Sequence, residues 1–117
     1  MTTLSGMADR IAAAWARDTS ASADEWTPAN PARGQCAVTA LVVQDVYGGD
    51  LLRAMVGGES HYFNRLPGGE EVDLTRQQFP PDAVVGAAEV RMREYVLSFP
   101  ETARRYRLLK DRLGEAA

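Results

Sequence analysis

Apolar positions recur at helical spacing near the start of the chain, where Met7, Ile11, Ala14 and Trp15 fall on one side. The pattern predicts a first helix from Ser5 to Arg17, capped by Ser5 and ended by the polar run from Asp18 to Glu25. Trp26-Thr27-Pro28-Ala29-Asn30-Pro31 predicts an extended loop, because each proline rejects helix and restricts the residue before it. From Gln35 to Tyr47 the apolar positions close up. Cys36, Ala40, Val43 and Tyr47 share one face, with Ala37, Leu41 and Gln44 beside it, which predicts a centrally buried helix stopped by Gly48-Gly49.

The period then changes. Leu51–Val56 and Ser60–Leu66 read as strands around a Gly57-Gly58 turn, and Pro67-Gly68-Gly69 leads to a third strand, Glu71–Leu74. A meander of antiparallel strands is the simplest arrangement of the three. Phe79-Pro80-Pro81 breaks the chain, and 82–90 predicts no firm element. A short helix follows over about Arg91–Leu97. Ser98-Phe99-Pro100-Glu101 fits a capping box for a last helix that buries Ala103, Tyr106, Leu109 and Leu113 before Gly114.

Composition narrows the function classes. The 117 residues suit one domain, 1–117, and carry 13 Lys and Arg against 16 Asp and Glu, a net charge of −3. That balance argues against a nucleic-acid or anionic-membrane binder. No apolar run approaches a bilayer span, and the N-terminus lacks the pattern of a signal peptide, so the expected location is cytoplasmic. One cysteine, Cys36, and one histidine, His61, exclude an internal disulfide and a four-ligand Cys/His zinc site, and no metal or cofactor is expected.

The same scarcity means that any Cys–His chemistry within one chain uses a single pair. Cys36 falls in the first turn of a predicted helix, where unsatisfied N–H groups favour thiolate and could hold a developing oxyanion. His61 could deprotonate it and then protonate a leaving group. Strand alternation puts His61, Phe63 and Arg65 on one face and Asn64 on the other. Asp73, expected on a neighbouring strand, is therefore the better partner for the imidazole. Gln35, Trp26, Asn30 and Asn64 are the remaining candidates for an oxyanion hole or pocket wall. The bland alternatives are a packing cysteine, a tryptophan pinning its loop and an Asn30 that forms a turn.

Gly34-Gln35-Cys36 before a helix, a strand bearing His61, and then Asp73-Leu74-Thr75 resemble the nucleophile, histidine and Asp-x-Thr segments of transglutaminases. The Cys, His, Asp order is that of the transglutaminase and papain-like superfamily. Ala37 departs from it, since transglutaminases carry an aromatic residue after the nucleophile, and Gln35 is adjacent to the cysteine rather than several residues before it. The stretch from Trp26 to Asp45, the Gly-Gly-x-x-His-x-x-Asn-Arg segment from Gly57 to Arg65, and Glu101 to Leu109 resemble the small bacterial YunG-like proteins over nearly the whole chain.

The resemblance implies an α+β domain with a papain/transglutaminase-like core, its nucleophile helix packed on a small antiparallel sheet. The expected function is thiol-dependent acyl transfer or hydrolysis of an amide, ester or thioester, with Cys36 as nucleophile, His61 as base and acid, and Asp73 as orienting group. The expected partner is a peptide, protein or small acyl substrate. The competing reading is a non-catalytic binding or regulatory module on the same scaffold. The run Arg104, Arg105, Arg107, Lys110 and Arg112 gives the last helix a basic face, either solvated or open to an acidic protein.

Overall fold

The computed structural model describes residues 3–114. Helix α1, Leu4–Ala14, buries Met7 and Ile11, as its spacing predicts. Its cap is Thr3 rather than Ser5: the Thr3 hydroxyl accepts the Gly6 N–H at 2.9 Å. The helix stops at Ala14 instead of Arg17 because Trp15 turns extended, and its indole N–H donates to the buried Thr39 hydroxyl at 2.9 Å. Two 3₁₀ turns follow, Arg17–Thr19 and Ala23–Glu25. The segment expected to be extended is a tight turn, in which Asn30 N–H donates to Thr27 O at 3.0 Å. Pro28 occupies the position whose fixed φ suits such a turn.

Helix α2, Cys36–Tyr47, buries every residue from Val38 to Val43. Gly48, at φ 77°, caps it and returns its N–H to Gln44 O. Strands β1 (Asp50–Val56) and β2 (Glu59–Arg65) form a hairpin in register Val56 with Glu59. Gly57 and Gly58 both have positive φ, the backbone that a two-residue turn between twisted strands requires. Strand β3 is only Glu71–Val72, pairing with Arg65 and Asn64, so Asp73 and Leu74 lie beyond it rather than within it.

A fourth strand, β4 (Glu89–Arg91), arises at the end of the segment that predicted none and takes Arg91 from the expected short helix; it pairs with β1 and completes an antiparallel sheet ordered β3-β2-β1-β4. Three residues with an exposed Val90 carry little period of their own, and the open edge of β1 supplies the pairing.

The two sheet faces are differently occupied. Leu51, opposite Asn64, belongs to the main core with Leu41 and Val43 of α2. Asn64 reaches that helix directly, its amide donating to Ala40 O at 2.9 Å. On the other face Leu52, Ala54 and Phe63 form a smaller cluster, and His61, the cross-strand partner of Ala54, stacks on Phe63.

Helices α3 (Arg93–Leu97) and α4 (Pro100–Leu113) close the fold, with α4 burying Ala103, Tyr106 and Leu109. No capping box forms at the start of α4. Phe99 holds the N-cap position, Ser98 instead donates to Tyr95 O, and Glu101 pairs with Arg104. Pro100 in the first turn, where no N–H partner is needed, suffices to start the helix. Among the described residues no helix is long and apolar enough to cross a membrane.

Candidate functional site

Gly34, at φ 75°, delivers the chain into α2 at a point where space is short: a Cβ there would lie 2.3 Å from Ser20 Oγ. That close approach sets Cys36 as the first residue of α2, half-buried. The first intrahelical bond is made by Thr39 N–H to Gln35 O at 3.0 Å. The N–H groups of Cys36, Ala37 and Val38 precede it and carry the partial positive charge of the helix start.

His61 is completely buried, and its Nε2 lies 2.7 Å from Asp73 Oδ2. Just past β3 the chain bends into an Asx turn, where Asp73 Oδ1 accepts the Thr75 N–H at 3.2 Å. One carboxylate oxygen thus anchors the loop while the other holds the ring. Phe79 meets the imidazole edge-on at 5.0 Å and Phe63 stacks on it at 5.8 Å.

The other ring nitrogen, Nδ1, is buried and makes no hydrogen bond to any described residue. Cys36 nevertheless bears on the ring. Burial opposes the imidazolium, but hydrogen bonding to Asp73 and then the influence of Cys36 outweigh it, pushing the His61 pKa up to about 9. Nε2 is engaged by Asp73, and Nδ1 is the ring nitrogen left without a partner among the described residues. α2 packs on the sheet face opposite His61, but its first turn reaches the β2 edge. Beyond Asn64, among the described residues, β2 has no strand partner on that edge, so the loop carrying Gln78 and Phe79 runs there instead.

Beside Cys36 opens a cleft of about 110 Å³ whose walls include Ser60, Gln78, Phe79, Thr102 and Arg105. None of Gln35, Trp26, Asn30 and Asn64 lines it. Gln35 is buried and turns its amide toward the N-terminal segment, donating to Ala16 O at 2.9 Å, because as N-cap it points away from the helix mouth. Trp26 donates to Pro31 O at 3.0 Å and sits under the Arg17 guanidinium, so it pins its own loop. Asn30 ties that loop to Gln78 O at 3.2 Å. Asn64 serves the α2 interface, as alternation requires.

The basic run on α4 is also partly consumed within the fold. Arg104 pairs with Glu101, Lys110 with Asp45 and Arg112 with Asp18. Those pairings reduce the face that an acidic protein partner would meet.

Two cleft residues escaped the sequence reading. Gln78 is 8% exposed; its Oε1 accepts the Gly34 N–H at 3.2 Å, which fixes the amide orientation and leaves Nε2 buried without a partner. Arg105 also lines the cleft, with a buried, unpartnered Nε. The dipeptide Gln77-Gln78 before a proline pair gives no sign of a site, and Arg105 is one of five basic residues in a run.

A family model described as YunG protein matches residues 3–117. Among individual proteins, the uncharacterized protein YunG of Bacillus subtilis (strain 168) is 40% identical over 65 residues, which is 56% of this chain and 53% of that protein. The chain thus aligns with about half the length of that relative. No solved structure matches the chain.

Proposed function

This chain belongs to the YunG family, and we propose that it is a cysteine-dependent acyl transferase or hydrolase acting on an amide, ester or thioester. One observation carries the reading: a buried imidazole is bound through Nε2 to Asp73, its Nδ1 has no partner among the described residues, and the chain's only thiol helps to raise its pKa. A histidine needed only for packing would be expected to satisfy both nitrogens or to stay uncharged in its apolar surroundings.

In this reading the Cys36 thiolate attacks a carbonyl carbon, forming a C–S bond and placing charge on the oxygen. Helix-start N–H groups and Gln78 Nε2 are the donors at hand for that oxygen. As the tetrahedral species collapses, the carbon–leaving-group bond breaks and His61 Nδ1 gives its proton to the departing atom. The neutral ring then takes a proton from water or another acceptor nucleophile, which attacks the acyl-cysteine and releases the thiolate. Asp73 holds the ring in one orientation and stabilises its charged form throughout.

The test is acetylation by p-nitrophenyl acetate, read by p-nitrophenol release and by the mass of the intact protein. A single acetyl group on Cys36, absent in Cys36→Ala and formed more slowly in His61→Ala, is the expected result. Acetylation no faster than that of free cysteine at the same pH, and unchanged in His61→Ala, would transfer the assignment to a non-catalytic binding module.

A further inference from the structure

Arg105 stands out among the cations of α4 by its buried Nε. Arg104 has Glu101 at 2.8 Å and Lys110 has Asp45 at 3.7 Å, while Arg107 is exposed to water. Arg33, on another wall of the cleft, is held by Glu25 at 2.5 Å and Glu59 at 3.0 Å. That double pairing uses up Glu59, the one carboxylate among the described residues lining the cleft. Arg105 makes no ion pair among the described residues. Its guanidinium touches only the Thr102 hydroxyl, at a long 3.4 Å, while Nε is buried with no acceptor at all. Burial accordingly pulls its pKa down. Arg105 is half-buried, so the cost of partly desolvating its charge without an anion is modest and is recovered when an anion arrives.

The position of that cation gives it meaning. Arg105, Gln78 and Cys36 line one cleft of about 110 Å³, room for a small acyl group rather than a bulky one. Both unpartnered groups, Arg105 Nε and Gln78 Nε2, are donors. A carboxylate, phosphate or sulfonate offers several acceptor oxygens, and a guanidinium pairs with such groups through two parallel N–H bonds.

Resting on the acyl-transfer reading, we propose that the cleft beside Cys36 takes small acyl compounds bearing an anionic group, which Arg105 holds while the thiol meets the carbonyl. Arg105 is thus the residue that selects the substrate class. The anion stands a few bonds from the reacting carbon, as in a half-ester or half-amide of a short dicarboxylic acid.

Charged and neutral thiol reagents of matched chemistry test this directly. Cys36 is modified with 2-sulfonatoethyl methanethiosulfonate, which carries an anion two carbons from the reacting sulfur, and with the neutral methyl methanethiosulfonate. In the native protein the rate ratio of anionic to neutral reagent should exceed that of Arg105→Gln by about tenfold, the size of one partly desolvated charge pair. Rising sodium chloride should erode the ratio. The neutral reagent should react equally with both proteins, and Arg105→Lys should retain part of the preference.

Unfolding midpoints measured beside the rates keep a misfolded variant from imitating the result; salt dependence of the native ratio decides the matter if Arg105→Gln does not fold. Fast reaction with both reagents and no anionic preference would overturn the selection by Arg105 and leave the nucleophile intact. Slow reaction with both, at the pace of an ordinary free thiol, would overturn the nucleophile and this proposal with it.

Discussion

Replacing Asp73 by asparagine removes a charge from beside a buried ring and almost nothing else, since the amide oxygen can still accept the Thr75 N–H. The structure sets the size of the effect. His61 titrates at about 9 in the folded protein against 6.5 for an ordinary histidine. At about 1.4 kcal/mol per unit, that gap corresponds to about 3 kcal/mol of stability belonging to the protonated ring. Burial of the ring works against the charge, and Asp73 is the largest influence in its favour.

The sign follows from linkage. A raised pKa contributes stability that is fully present below 6.5 and is lost as pH rises through 9. Native protein should therefore exceed Asp73→Asn by about 2–3 kcal/mol near about pH 6, and by under about 1 kcal/mol near about pH 10. Urea unfolding followed by fluorescence reads the difference, because Trp15 is buried with its indole N–H on Thr39. With a urea slope of roughly 1.5 kcal/mol per molar, the midpoints should differ by about 2 M at the acid end and converge at the alkaline end. Groups that titrate alike in both proteins cancel. A difference that stays flat across this range, or grows with pH, would refute the account of a charged ring held by Asp73.

Other perturbations separate the parts of the site. His61→Ala should slow alkylation of Cys36 by iodoacetamide about tenfold near neutral pH, read as adduct mass against time, provided the variant is folded. Gln78→Ala should slow acetylation by p-nitrophenyl acetate by about a hundredfold but leave iodoacetamide alkylation alone, because only the first reaction builds charge on an oxygen. Gly34→Ala should cost about 2 kcal/mol or more in urea unfolding, since a Cβ at φ 75° meets Ser20 Oγ at 2.3 Å. Asn64→Ala should cost about 1–2 kcal/mol through its lost bond to Ala40 O, with no change in the pH profile of Cys36 alkylation.

What the chain determined locally was legible from its residues. The apolar run of α2, its Gly48 stop and the Gly57-Gly58 hairpin each follow from propensity, period and allowed φ, and none needs a distant partner. Alternation along β2 separates His61 from Asn64 in the same way, because a pleated strand sends neighbours to opposite faces. Tertiary structure decided what depends on contacts distant in sequence. β4 exists because β1 had an unpaired edge, and α4 begins at Pro100 with Phe99 as its N-cap because Pro100 and packing outweigh a capping box. Asp73 reaches His61 from an Asx turn rather than from the strand expected to carry it. Gln78 and Arg105 join Cys36 only once the loop after β3 and the last helix have folded back along the β2 edge. Local residue patterns record a backbone preference, whereas a cleft is made by segments that meet only after each has satisfied its own.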